Sequence, residues 1–318
     1  MEHTPAFILL AISIVAVTDQ PIGTTGGGSL SGRVTDSTFR DCPACPEMVV
    51  IPAGRFDMGS SEADKDWAVS HGASKGSVSD ESPRHSVTLR SFALGKYDVT
   101  RGEYAAFVRE TGRTDRDGCY IFDGSHWNNS VWPKPRGTSW RNPGFSQTDR
   151  EPVVCVTWDD AQAYVSWLNG KARPREAAAG SGPYRLPSES EWEYAARAGR
   201  ATRFWWGDED NEAPRYAWYN GNAGGRTHPV GSTSANPYGL YDMAGDVWQW
   251  NEDCYAETYA SAQADGSAAE VGGSGCLRVD RGGSWAYPSW LLRAATRERN
   301  TADNRDNVLG FRVAKTLP

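Results

Sequence analysis

The side chains best suited to redox or metal chemistry in this chain are its six cysteines. Two lie in a CPAC run at residues 42–45, and the others are widely separated. A zinc site would need two close cysteine pairs or nearby histidines, and the five histidines are scattered singly. A thioredoxin-like CxxC would precede a helix, whereas a strand-like run follows here. We therefore expect structural disulfides in an oxidising compartment, pairing Cys119 with Cys155 and Cys254 with Cys276, although six cysteines leave other pairings open.

The composition excludes one class of partner and indicates the kind of fold. The net charge is −7, and nucleic-acid binding would require a clustered basic face, so we expect no nucleic-acid partner. The chain has 14 Trp, 34 Gly and 18 Pro, which indicates a loop-rich fold held together by large rings rather than long helices. We expect a monomer.

The N-terminus is typical of an export signal. Residues 6–17 are apolar except for one serine, and this stretch is too short to span a bilayer. We predict a signal peptide over 1–18, a linker rich in Gly, Ser and Thr over 19–40, and one domain over 41–318. The protein would then be exported, periplasmic or secreted, without a transmembrane anchor. A buried N-terminal strand or an uncleaved anchor stays open, because Glu2 precedes the stretch and no clean cleavage site follows it.

Capping residues and periodicity predict three helices. Thr157 begins one over 158–168, Ser188 begins another that ends at Arg197, and a shorter helix covers 100–109. The glutamates of the second helix read as a solvated helix start. Short strands are predicted over 48–51, 86–89, 93–97 and 153–156, and surface loops over 59–82 and 170–182.

Several ordered motifs carry a resemblance to a known family. They include MVVIPAGRFDMGS (48–60), YRLPSESEWEYAARAG (184–199), NPYGLYDMAGDVWQW (236–250) and RVDRGGSW (278–285). In order and spacing the chain resembles the formylglycine-generating-enzyme (sulfatase-modifying factor) family from about residue 42 onwards. The resemblance implies an α+β fold related to C-type lectins, with little regular secondary structure.

The family's oxidases carry a redox-active cysteine pair just after the GGS-aromatic motif, and its thiolates bind copper. Here residues 286–292 read AYPSWLL, and no cysteine follows Cys276. The resemblance therefore points to a branch without the catalytic pair; copper is not expected, and enzymatic activity is left open. Ser284 matches a family active-site serine, and Arg297 a groove arginine. The structural alternative is a turn hydroxyl for Ser284 and, for Arg297, an ion pair with a nearby acid such as Asp303.

The resemblance also implies a structural calcium site. Its ligands would be the side chains of Asp242 and Gln249 and the carbonyl groups of Gly245 and Val247. Oxygen-only ligands suit Ca²⁺, but Gln249 stands where the family commonly has glutamate, so we expect weak binding.

Two classes of function follow. The first is a module that binds a peptide or small molecule in a groove formed by the C-terminal loops 285–292 and 296–308. Its expected contacts are Trp285, Tyr287, Trp290 and Arg297, because aromatic residues and arginine dominate such sites. The alternative is a divergent periplasmic oxidoreductase, or a formylglycine-generating oxidase acting on sulfatase-type cysteines. The C-terminal stretch, with its GGSW and LGFR motifs, also resembles the variable segments of retroelement-diversified lectin-fold proteins.

Overall fold

The computed structural model describes residues 1, 38–114, 116–122, 132–172, 184–270 and 275–317. These residues form an α+β fold with many irregular connections, as predicted. The helices are α1 (Glu62–Ser70), α2 (Arg101–Thr111), α3 (Trp158–Lys171) and α4 (Glu189–Arg197). The strands are β1 (Thr38–Phe39), β2 (Met48–Ile51), β3 (Gly54–Met58), β4 (His85–Leu89), β5 (Phe92–Gly95), β6 (Tyr184–Arg185), β7 (Trp248–Cys254), β8 (Leu277–Arg281), β9 (Arg297–Thr301), β10 (Leu309–Gly310) and β11 (Ala314–Thr316).

The strands form three sheets, and the C-terminal residues take part in two of them. One sheet has the order β1-β2-β5-β11-β6, the second β10-β7-β8-β9, and the third pairs β3 with β4. Strand β11 lies between β5 and β6, and β10 runs parallel to β7. Residues far apart in sequence therefore complete each sheet, and the second sheet brings the RVDRGGSW motif beside the last loops.

The predicted helices begin where their caps indicate. Thr100, Thr157 and Ser188 each accept a hydrogen bond from the third residue of the helix, whose own acid side chain bonds back to the cap. These reciprocal bonds satisfy amide groups that a helix end otherwise leaves unpaired. Helix α2 ends at Gly112, which adopts the left-handed conformation that glycine tolerates.

Three sequence-based expectations about local structure were wrong. Val153–Val156 is buried but is not a strand, because its amides bond to separate partners and Cys155 has a φ of 62°. The polar stretch 59–82 contains α1, which Ser61 caps. The end of the predicted linker forms β1, which pairs with β2; the signal peptide and the rest of the linker lie outside the described residues.

None of the helices in the described part of the chain is long and apolar enough to cross a membrane.

The six cysteines form three disulfides. Cys119 pairs with Cys155 and Cys254 with Cys276, as predicted, and the CPAC run closes on itself through Cys42 and Cys45. No cysteine in the described residues is free.

Loop length predicts how much each disulfide stabilises the fold. The Cys119–Cys155 bond spans 36 residues, whereas the Cys42–Cys45 bond spans three. A longer loop loses more entropy in the unfolded chain, so replacing Cys119 and Cys155 by alanine should lower the free energy of unfolding by about 4 kcal/mol. The matched double replacement at 42 and 45 should cost about 2 kcal/mol. Urea unfolding of both variants would contradict this order if the short loop cost as much as the long one.

Candidate functional site

The second sheet has two faces with different chemistry. Side chains alternate along a strand, and the register places Gln249, Arg281 and Arg297 side by side on one face. On the opposite face Trp250, Asp280 and Glu298 form the adjacent row, with Trp248 and Asn300 on the same side. The first face packs against α4, and the second carries the C-terminal loop.

Two glycines turn the chain from β8 into that loop. Gly282 and Gly283 have φ values of 110° and 75°, a region that other residues rarely adopt. A Cβ atom at Gly283 would lie 3.0 Å from the carbonyl oxygen of Leu291, so the turn also brings residues 284–292 back against the strand end.

The loop residues matched to the family are mostly buried. Ser284 is fully buried, and its Oγ accepts a bond from the Ala286 amide at 3.3 Å, as the turn alternative requires. Trp285 donates from Nε1 to the Asn307 carbonyl oxygen at 3.0 Å, and Trp290 is also buried. Neither tryptophan offers an open ring face in this structure.

Arg297 lies on the α4 face of the sheet, away from the loop. Its Nε and Nη2 atoms donate to the two carboxylate oxygens of Glu189, at 2.6 and 3.0 Å. Arg297 therefore forms an ion pair, as the structural alternative required, but its partner is Glu189 rather than Asp303. Because Arg297 and Tyr287 are on opposite faces of the sheet, the structure does not bring them together in one groove.

The glutamates of α4 are the centre of a buried charge network, not a solvated helix start. Glu193 is fully buried, pairs with Arg281 and Arg197, and accepts a bond from the Gly59 amide. Burial raises its pKa, but Arg197 and Arg281 outweigh this and hold the pKa below its usual value. Arg281 also donates to the carbonyl groups of residues 294–296, so the network fixes the chain between the loop and β9.

A buried acid beside this network gives a pH prediction. Asp253 accepts bonds from the amides of Glu189 and Ala269, and burial together with the Glu189 charge raises its pKa to about 7. Because its pKa is higher in the folded than in the unfolded state, this carboxyl contributes its full stability only below the unfolded-state pKa. That stability is lost as the pH rises towards the folded-state pKa of about 7. Wild type should therefore lose up to about 1.4 kcal/mol per pH unit between pH 5 and 7 relative to Asp253→Asn. Parallel stability curves for the two proteins in urea would contradict the shift.

Tyr287 is the one predicted contact whose side chain is partly exposed. Its ring lies 5.7 Å from Trp248, 6.4 Å from Trp132 and 6.5 Å from Phe122, measured between centroids. Phe122 also packs against Trp285 at 5.6 Å. The rings form a cluster, which we call the Tyr287 cluster, on the sheet face opposite α4.

Three carboxyl groups lie near enough to Tyr287 to affect its pKa, and the sequence did not single them out. Burial raises the pKa of Tyr287 well above its usual value, and the charges of Asp306, Glu298 and Asp280 raise it further. Asp306 is buried, accepts bonds from Asn304 and the Val308 amide, and has a pKa raised to about 6 by burial. The alternation within β8 and β9 could have placed Asp280 opposite Glu298, but only once their register was known.

The residues expected to hold calcium are engaged with one another. Gln249 Oε1 accepts bonds from Trp192 Nε1 at 2.6 Å and from Arg312 Nε at 2.7 Å, while its Nε2 donates to the Asp242 carbonyl oxygen. The Asp242 carboxylate accepts the Gly231 amide, and the Gly245 carbonyl oxygen accepts the Val247 amide. Both lone pairs of the Gln249 oxygen are used, and a guanidinium cation occupies that side. This set does not fit a calcium ion without displacing Arg312.

We therefore expect millimolar Ca²⁺ to leave the thermal unfolding midpoint unchanged. A ligand that binds only the folded state at a hundred times its Kd would add about 2.7 kcal/mol, which a melting curve detects readily. A Ca²⁺-dependent rise that is lost in Asp242→Asn would instead establish the site inferred from the sequence. Magnesium at the same concentration controls for ionic strength.

Comparison with known proteins agrees with this architecture. The model of the sulfatase-modifying factor enzyme 1-like domain matches residues 35–317. The formylglycine-generating enzyme of Streptomyces coelicolor is 34% identical over 306 residues, covering 84% of this chain and 88% of that protein. The inactive C-alpha-formylglycine-generating enzyme 2 of Bos taurus is 30% identical, covering 84% and 87%. The structure of PvdO from Pseudomonas aeruginosa aligns with a TM-score of 0.72 at 34% identity, covering 89% of this chain and 98% of PvdO. The chain therefore belongs to the formylglycine-generating-enzyme (sulfatase-modifying factor) family and has that family's fold.

Proposed function

We propose that this protein is a ligand-binding member of the family that does not carry out copper-dependent thiol oxidation. One observation carries the proposal: every described cysteine is in a disulfide, and the loop that would carry the catalytic thiols has none. Tyr287 and Ser289 are the only heteroatom-bearing side chains at its exposed part, and their oxygens are hard ligands that suit copper(I) poorly. The donor set therefore does not fit the family's copper centre.

The binding half of the proposal is supported by the Tyr287 cluster. Aromatic side chains with a few converging polar groups are typical of small-molecule and peptide sites. The cluster combines partly exposed rings of Trp132 and Tyr287 with charged and amide side chains on β8, β9 and the 304–308 loop. The proposed site therefore has fewer of the contacts expected from the sequence and does not include Arg297.

The three disulfides support an oxidising, periplasmic or extracellular location for this activity, since such bonds are rare where thiols are kept reduced. A divergent oxidoreductase using another cofactor is the second reading. Its support is similarity to a relative that is named a formylglycine-generating enzyme.

Binding can be tested with acetylated, amidated tripeptides Gly-X-Gly covering all side chains, supplied at millimolar concentration. We expect at least one to change the tryptophan fluorescence and raise the unfolding midpoint of wild type. Tyr287→Ala should remove both responses. Tyr216→Ala, a partly exposed tyrosine in a separate stack with Trp205 and Trp206, should keep them. Equal responses in both variants would place binding elsewhere and contradict the proposal.

A further inference from the structure

The sheet face beneath Tyr287 carries two opposed carboxyl groups that form no ion pair within the described residues. Asp280 and Glu298 are directly opposite each other in the antiparallel pair β8–β9. Like charges in this position destabilise a sheet. Among the described residues, no arginine or lysine forms an ion pair with Asp280, Glu298 or Asp306. The opposite face of the same strands shows the contrast, because Arg281 and Arg297 there are paired with Glu193 and Glu189.

Only one of the two carboxylate oxygens of Asp280, the buried member of this pair, has a hydrogen-bond partner. Asp280 is fully buried, and its Oδ2 accepts a bond from Asn300 Nδ2 at 2.9 Å. Its Oδ1 is buried and has no hydrogen-bond partner. A buried carboxylate oxygen without a partner is costly, so a bound group that supplied the missing donor would stabilise this position. Glu298, directly opposite, is exposed.

Two tryptophan side chains in the same region also lack hydrogen-bond partners. The indole Nε1 atoms of Trp132 and Trp248 are both buried without hydrogen-bond partners. Both rings contact Tyr287. Aromatic faces next to carboxylates are the environment that proteins use to hold organic cations, because ring quadrupoles and carboxylate charges both attract them.

We propose that the Tyr287 cluster binds a ligand through a protonated amine or guanidinium group, which takes Asp280 and Glu298 as its counter-charges. This deepens the proposed function and rests on it, since it names the chemical class of the bound group. An organic cation fits better than a metal ion. Within the described ranges no three His, Cys, Asp or Glu side chains are close enough to coordinate a metal. An organic cation needs no closed coordination shell. It can instead be held by two carboxylates and an aromatic face.

The test compares two isosteric probes that differ in charge. The acetylated, amidated tripeptides Gly-Arg-Gly and Gly-citrulline-Gly have side chains of nearly equal shape, but only arginine is cationic. Agmatine and putrescine serve as free-amine probes. We expect the arginine peptide to bind wild type at least about tenfold more tightly than the citrulline peptide by calorimetry, a difference that Asp280→Asn and Glu298→Gln each reduce. Asp253→Asn, which changes a buried acid on the neighbouring strand, should keep the preference for the arginine peptide.

Each outcome decides the question. Equal binding of the arginine and citrulline peptides, or an arginine preference unchanged in both Asp280→Asn and Glu298→Gln, would overturn the cation assignment while leaving the proposed function intact. So would binding confined to neutral or acidic tripeptides. If Asp280→Asn fails to fold, Glu298→Gln alone decides, because its side chain is exposed. Binding of Mn²⁺ or Ca²⁺ that competes with the arginine peptide and is lost in Asp280→Asn would show a metal site in its place.

Discussion

Replacing Glu193 by alanine should lower the free energy of unfolding by about 3–5 kcal/mol, the largest single-residue effect we expect in this protein. The side chain is fully buried and holds Arg281, Arg197 and the Gly59 amide together. Removing it leaves two guanidinium groups in a region without water to solvate them. A typical domain has only about 5–15 kcal/mol of net stability, so the variant should be close to unfolding at ordinary temperature.

The matched control is Glu212→Ala. Glu212 pairs with Arg215 at 3.0 Å, but both side chains are largely exposed, and surface pairs contribute little. Its unfolding midpoint in urea should be close to that of wild type. If Glu193→Ala does not fold, Glu193→Gln keeps the side-chain shape and should show an intermediate loss. A cost for Glu193→Ala no larger than that for Glu212→Ala would contradict the role assigned to the network.

The error about the α4 glutamates shows what a local pattern cannot reveal. Acids in the first turn of a helix are favoured by its dipole whether they face water or protein. Arg281 pairs with Glu193 and Arg297 with Glu189 across 88 and 108 residues of sequence. Glu193 also pairs with Arg197 in the same helix, but such a local pair does not distinguish a buried glutamate from a solvated one. By contrast, the cap residues Thr157 and Ser188 act within three residues of themselves, and the helix starts they predicted are confirmed.

Some residues of the candidate site could likewise be identified from the sequence, and others could not. Tyr287 could be named because it follows a recognisable motif, and the predicted disulfides could be named because few cysteines were available. Asp280 and Glu298 could not, because their significance depends on the register of two strands and on the absence of a countercharge. Arg297 was matched by motif, but strand alternation puts it on the other face of the sheet.

The second large effect concerns the family's chemistry, which we expect to be absent altogether. Copper-dependent oxidation needs two thiolates close enough to hold one soft ion and pass electrons to oxygen. Cys254 and Cys276 are the cysteines nearest the GGSW motif in sequence, and they are bonded to each other with a Cα–Cα distance of 5.5 Å. A disulfide offers no thiolate, and residues 286–292 contribute no sulfur. Residues 286–292 therefore contribute no thiolate to such a centre.

The measurement that tests this most directly is conversion of a CxPxR peptide to formylglycine by the copper-loaded protein in air. A relative that is named a formylglycine-generating enzyme provides the positive control. Mass spectrometry follows loss of the cysteine thiol and appearance of an aldehyde, and Cys254→Ser and Cys276→Ser variants run in parallel. We predict that the peptide keeps its thiol in every sample except the control. Aldehyde formed by wild type but not by the serine variants would show that Cys254 and Cys276 are a catalytic pair. Aldehyde formed by all three would contradict the account outright.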